Sequence, residues 1–320
     1  MPRRLLTLRK PIPMTTSYTL ATFRHEGKPT PVIEVGRRYW PISTVAADLL
    51  PAASTRGLMQ LFDDWEQSSK RLANLAARLS SEGSPGEIQA PKSADDILAP
   101  LLYPNKLIML GANYLDHMHE DAGYVDFDKA SKIPCLFMKP PTTAIVGSGA
   151  SVPYPIQTEK FDWELELAVV IGKRATRLTI ENAMSCIAGY TIGIDLSARD
   201  WQFHPKHLVK FDLFGGKAFD FSNPLGPCIV PAGQINPDDL QMTLKVNGEV
   251  KQHARTSLMI WNIAEQLVAI TEHVTLEPGD VVMTGTPSGV GLKTGTFLKR
   301  GDRIDAEIEG IGHLAVQVQA

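Results

Sequence analysis

Residues 161–170 read FDWELELAVV. Asp162, Glu164 and Glu166 alternate with Trp163, Leu165 and Leu167, the period of an extended strand, so the three carboxylates share one face. Neighbours on that face stand about 6.5–7 Å apart, and at an effective dielectric near 20 they repel by roughly 2–3 kcal/mol. A solvated edge strand tolerates this. Edges, however, more often carry mixed signs or Lys, and this strand runs straight into LAVVIG, which reads as buried on both faces. Carboxylates buried together need a cation, and oxygen-only ligands suit a hard one: Mg2+, Ca2+ or Mn2+. A third ligand is offered by GYTIGIDLSARDWQ, where Asp195 ends an apolar strand at a position that projects into a cleft. Asp200 competes, although the adjacent Arg199 makes a structural ion pair an equal reading for it. Asp195 is the preferred ligand.

The elements that must hold these residues follow from the rest of the chain. Its 320 residues are 43% hydrophobic and 21% charged, enough for one large core or two unequal ones. A net charge of −3 with both signs interspersed leaves no basic tract for nucleic acid. No apolar run reaches the roughly 20 residues of a bilayer span. Cys135, Cys186 and Cys228 are scattered and form no CxxC pair, which argues against a disulfide framework or zinc ribbon and for a reducing, cytoplasmic setting. The basic start MPRRLLTLRKPIPM reads as an upstream extension, with a transit peptide as the lesser alternative and the fold expected to begin near Met14.

Between Tyr18 and Ser43, short β-like runs are broken by Gly and Pro, a small meander. From Thr55 to Gly83, Leu58, Leu61, Phe62, Trp65, Leu72, Leu75 and Leu79 follow helical spacing. A linker rich in Ser, Pro, Gly and Ala follows, which places a boundary near residue 100: a small N-terminal α+β domain (1–100) with a flexible start, then a larger domain (101–320). Strand-like runs dominate the second part, with helices expected only at Ile180–Cys186 and Ser257–Thr271. The fold class is α+β, mainly β.

Seven segments in order over about residues 105–320 resemble the fumarylacetoacetate hydrolase family: GANYLDHMHE, PCLFMKPPTTAIVGSGASVPYP, FDWELELAVVIG, GYTIGIDLSARDWQ, GGKAFDFSNPLGP, VNGEVKQHARTSLMIW and LEPGDVVMTGTPSGVG. The resemblance implies a mixed β-sandwich/β-roll catalytic domain in which Glu164, Glu166 and Asp195 hold a divalent metal, Mg2+ first, with Mn2+ or Ca2+ as alternatives. Asp162 then stands just outside the ligands. It implies a His117/Glu120 pair that holds a water, and two active-site cations, Lys139 and Lys217. Arg199 and Gln202 match polar side chains near substrate oxygens, and Tyr114 and Thr286 match positions lining the cleft. His119, two residues from His117, makes a His-x-His zinc site the weaker option. TGTPSGVG lacks the Gly-Lys-Ser/Thr of a phosphate loop and reads as a turn offering N–H groups to a substrate carboxylate. Two features bear on substrate identity: Phe221 stands where some relatives are polar, and residues 120–132 are long and polar, like a lid.

The implied chemistry is hydrolysis of a carbon–carbon bond in a 1,3-dicarbonyl or acylpyruvate-like oxo-acid through a metal-stabilised enolate. Decarboxylation, hydration or isomerisation of 2-oxo acids on the same scaffold is the alternative, and a non-catalytic metal-containing dimer is the alternative from another class. The expected partners are a small oxo-acid substrate and a second copy of the chain, a homodimer.

Overall fold

The computed structural model describes residues 16–117 and 127–320. Its first strands, β1 (Thr19–His25), β2 (Lys28–Val35) and β3 (Arg38–Pro41), form the antiparallel meander. Left-handed residues at Glu26–Gly27 and Gly36–Arg37 close its two-residue turns, the conformation that matches strand twist. The helical stretch begins as a 3-10 segment, Gly57–Asp64, and becomes the α-helix α1 only at Trp65–Glu82. Asp64 sets that start by accepting from Gln67 N at 3.1 Å, and Gly83, at φ 66°, ends it.

The second part supplies β4 (Leu107–Gly111), β5 (Cys135–Lys139), β6 (Leu165–Ile171) and β7 (Ile187–Ile194). Short helices α2 (Arg199–Gln202) and α3 (Leu213–Lys217) follow, then β8 (Asn223–Pro231), β9 (Gln241–Val246) and β10 (Glu249–Arg255). The chain ends with α4 (Ile263–His273), β11 (Val281–Met283), β12 (Arg303–Ile308) and β13 (Gly312–Val318). The region expected to be helical at Ile180–Cys186 is only a 3-10 turn, Ala183–Cys186. The helix expected from Ser257 starts at Ile263, where Asn262 and Glu265 form a reciprocal capping box.

One large sheet of eleven strands runs β3-β2-β1-β8-β7-β6-β11-β4-β5, with two two-residue strands off this path. The pairing of β1 with β8 carries hydrogen bonding across the position near residue 100 where a boundary was expected. A second sheet, β10-β9-β12-β13, gains Ser151–Val152 at its edge. The class is α+β and mainly β.

β6 shows why the layers stack as they do. Its odd residues Leu165, Leu167, Val169 and Ile171 enter the core shared with the second sheet and α4. Its even residues Ala168 and Val170 enter a second core, shared with the meander and α1. Burial on both faces explains the unbroken apolar run. It also places Glu164 and Glu166 at the rim of a dry layer. Among the described residues no helix is long and apolar enough to cross a membrane.

Candidate active site

The strand carrying the carboxylates is interrupted where they begin. Phe161–Asp162 pairs with Ser197–Ala198, β6 resumes at Leu165, and Trp163–Glu164 lie between the two ladders. Glu166 sits opposite Gly193 on β7, and Asp195 lies one residue beyond that strand, its N–H donating to Glu164 O at 2.8 Å. Two adjacent antiparallel strands thereby bring three side chains together. Carboxylate oxygens of Glu164, Glu166 and Asp195 lie within 4.8 Å of one another, and all three residues are buried. At that spacing unscreened repulsion is about 3–4 kcal/mol per pair at an effective dielectric near 20.

Three buried basic groups offset part of it. Lys217, at the end of α3, donates to Glu164 Oε2 at 2.7 Å and Asp195 Oδ2 at 2.8 Å. Lys139, ending β5, is in ion-pair contact with Asp195 Oδ1 and donates to Ser222 O (2.7 Å) and Leu196 O (3.2 Å). Arg199, opening α2, grips Glu164 Oε1 and, at 2.8 Å, Asp162 Oδ2; its Nη1 reaches Gln202 Oε1 at 3.2 Å. Burial alone would raise the Glu164 carboxyl, but the charges of Lys217 and Arg199 overcome it and hold the group well below the usual range. Burial pushes Lys139 down to about 8, against the pull of Asp195. For Lys217, burial loses to Asp195 and Glu164, and its pKa is raised.

Asp162 belongs to a different arrangement. It accepts from Trp163 N, Gly291 N, Leu292 N and Arg199 Nε, at 2.6–2.9 Å. Gly291 is required for this approach, since a Cβ there would meet Asp162 Oδ1 at 2.7 Å and Thr296 O at 2.1 Å. Asp200, the rival ligand, is turned to the 158–159 turn, where it accepts from Thr158 Oγ1 and Glu159 N. The cluster contains Asp195 instead.

The donor set fits a hard divalent cation. It is oxygen only, and its three carboxylates lie within reach of one ion, with Lys139 on Asp195 Oδ1. Four buried carboxylates, Asp162, Glu164, Glu166 and Asp195, face three basic side chains, Lys139, Lys217 and Arg199. The shortfall falls on Glu166: burial, then the charges of Asp195 and Glu164, hold its carboxyl well above the usual carboxylate range.

The remaining expected residues surround this core unevenly. His117 is buried, with its ring near Glu164. Glu120 and His119 lie outside the described residues, as does residue 126 and those before it in the expected lid. Beyond that stretch, Phe127 packs edge-on against Trp261, and Lys129 pairs with Glu265 at 2.7 Å. Tyr114 is fully buried, with its hydroxyl on Met242 Sδ at 3.5 Å. Thr286 donates its hydroxyl to Leu165 O at 2.9 Å. Phe221 is partly exposed and left-handed, at φ 61°.

In TGTPSGVG two N–H groups already have protein acceptors: Gly285 donates to Glu166 Oε2 (2.6 Å) and Gly291 to Asp162 Oδ1 (2.6 Å). Three contributors went unread in the sequence. Asn113 holds Thr284 O and both backbone groups of Trp261, Asp116 joins the turn at His117 to Ser288, and Gln252 bridges β6 to Thr286. Asn113 had a signal in NYLDH, as a polar residue straight after an apolar strand; the other two show only through their long-range partners.

A two-sheet α+β fold with a buried acidic triad walled by lysines and an arginine defines a class of enzymes built around one oxygen-ligand site. The comparisons agree. Residues 106–319 match the family described as "Fumarylacetoacetate (FAA) hydrolase C-terminal", and the chain belongs to this family. It is 40% identical over 225 residues to "Oxaloacetate tautomerase FAHD2A, mitochondrial" of Bos taurus, a match covering 69% of each chain. Among solved structures, it resembles fumarylacetoacetate hydrolase from Exiguobacterium antarcticum with a TM-score of 0.73 and 33% identity, over 95% of this chain and 100% of that one. Fumarylpyruvate hydrolase from Pseudomonas aeruginosa, in complex with Mn2+ and pyruvate, gives a TM-score of 0.60 and 31% identity, over 74% and 93% of the two chains.

Proposed function

We propose that this chain is a divalent-metal-dependent enzyme of small enolisable 2-oxo acids, and that its reaction is keto–enol tautomerisation of an oxaloacetate-like acid. The observation that carries the reading is the convergence of Glu164, Glu166 and Asp195 within 4.8 Å beside buried Lys139, Lys217 and Arg199. Two relatives support it: one is an oxaloacetate tautomerase, and another, a fumarylpyruvate hydrolase, was solved in complex with Mn2+ and pyruvate. Glu164, Glu166 and Asp195 would hold Mg2+ or Mn2+, which supplies Lewis acidity and a template for substrate oxygens when bound.

The chain's own residues then have separable tasks. Lys217 and Arg199 fix the direction of Glu164 and neutralise it. Lys139 Nζ carries the proton in its neutral form, which burial brings within reach by pushing the group down to about 8: it accepts a proton from the carbon beside the carbonyl and returns that proton to the developing enol oxygen. Lys217, in the same dry layer, stabilises the negative charge that builds between those two transfers. Gln202 holds Arg199 in place through its Oε1. The proposed assembly is a homodimer, and three free cysteines suit the reducing cytoplasm proposed for it.

The test follows enol and keto oxaloacetate by ultraviolet absorbance. The protein accelerates the interconversion, EDTA abolishes the acceleration, and Mg2+ or Mn2+ restores it. Activity indifferent to EDTA, in protein that retains no metal, would count against the reading.

Carbon–carbon hydrolysis of an acylpyruvate is the second reading, favoured by one observation: a buried imidazole, His117, beside Glu164. There His117 takes a proton from the attacking water. His117→Ala then removes acylpyruvate cleavage and spares tautomerisation; cleavage at the wild-type rate removes this second reading.

A further inference from the structure

The segment VNGEVKQHARTSLMIW contains two buried polar side chains that the proposed reaction does not use: Thr256, whose hydroxyl is spent on Leu240 N and Pro237 O, and Gln252 on β10, which reaches the site. Its surroundings follow from the strand pattern. Glu164, just before β6, and Glu166, within it, turn their backbone groups toward β7, as the Asp195 N–H to Glu164 O bond shows for the first. Leu165, between them, turns its N–H and C=O the other way. On that side the neighbouring strand is β11, which pairs only with Ala168–Val170 and stops at Met283. Both backbone groups of Leu165, a fully buried residue, thus face a place where the sheet has no strand.

Gln252 and Thr286 fill the missing rung. Leu165 N donates to Gln252 Oε1 at 2.9 Å, and Leu165 O accepts from Thr286 Oγ1 at 2.9 Å. Gln252 Nε2 closes the circuit by donating to Thr286 Oγ1 at 2.8 Å and to Pro287 O at 2.9 Å. The amide orientation is fixed by its partners, since Leu165 N is only a donor and Pro287 O only an acceptor. Every polar group of the Gln252 side chain is used, and the residue is 1% exposed. The peptide units on either side of Leu165 carry Glu164 and Glu166. A rotation there would move the two carboxylates relative to each other and to Asp195.

We infer that Gln252, acting through Thr286, is a positioning residue for the divalent-ion site: it stands in for a sheet neighbour at Leu165 and so sets the separation of Glu164 and Glu166. The inference rests on the metal-site reading above. It also gives the hydroxyl of Thr286 a task in holding the ligands, in place of one in holding substrate.

The test is direct Mn2+ binding, by titration calorimetry or the loss of free Mn2+ paramagnetic signal, to full-length protein stripped of metal. Gln252→Leu removes both ends of the bridge, and its Mn2+ dissociation constant rises about 10–100-fold, the usual cost of losing a group that orients a ligand. Thr286→Val, which keeps shape and removes only the hydroxyl, gives a rise of about tenfold and keeps the inference testable should Gln252→Leu not fold. Hydrogen exchange at the peptide containing Leu165 speeds up in both. Leu72→Ala, in a distant core, serves as the control for lost stability alone: its melting temperature falls while its Mn2+ constant holds. Folded variants at Gln252 and Thr286 that bind Mn2+ within twofold of wild type, and so behave like Leu72→Ala, overturn the inference and leave the metal site standing. Wild-type protein that binds no Mn2+ overturns the site itself, and this inference with it.

Discussion

Two ends of one short run, Asp162 and Glu166, are buried alike and satisfied in opposite ways. Asp162 accepts four donors, three from backbone N–H groups and one from Arg199. Glu166 has Gly285 N–H on one oxygen and the like charges of Asp195 and Glu164 beside it. A carboxylate with all its partners in the protein holds structure together. One whose neighbours raise its proton affinity has room for another cation. The pattern D-x-E-x-E places both kinds on one face, and only their surroundings separate them.

The comparison breaks most visibly at Asp162. Removing it leaves the Gly291 and Leu292 N–H groups without their acceptor and takes from Arg199 one of its two buried carboxylates. Asp162→Ala is expected to lose about 3–5 kcal/mol of folding stability, read from urea denaturation of metal-free protein. A loss under 1 kcal/mol would mean that Asp162 is not the anchor described.

Glu166→Gln sharpens the contrast with a smaller effect. The amide keeps the Gly285 contact and replaces a carboxyl that already holds a proton, so the stability of metal-free protein changes by less than about 1 kcal/mol, while Mn2+ affinity drops roughly 100-fold. Destabilisation with unaltered Mn2+ binding would reverse the roles assigned to the two carboxylates.

The smallest effect is the pH dependence of binding. With its carboxyl raised, Glu166 holds a proton that an incoming ion displaces. Affinity therefore falls as pH falls below that raised value, by about tenfold per unit for one displaced proton, and binding releases protons to the buffer. Calorimetry in two buffers of different ionisation enthalpy reads this directly. Equal heats and a flat pH profile would contradict it.

Much of the site was legible because strands alternate. Period two put Asp162, Glu164 and Glu166 on one face, and the apolar run ending at Asp195 marked its strand end. The lysines stood out as charges inside apolar or Gly-rich runs. What stayed hidden depends on partners distant in sequence. Nothing near Gln252 says that it replaces a strand beside Leu165, 87 residues away. Nothing in the meander says that β1 pairs with β8. The late starts of α1 and α4 were readable in principle, from Asp64 before Trp65 and from the Asn262–Glu265 capping pair, but apolar spacing continues upstream of both and masks them.

The central claim is that Glu164, Glu166 and Asp195 grip one divalent ion. Anomalous diffraction at the manganese edge, from crystals grown or soaked with Mn2+, tests it most directly. The account predicts a single strong peak bounded by oxygens of those three side chains. Well-ordered crystals with full Mn2+ exposure and no peak between them would contradict it.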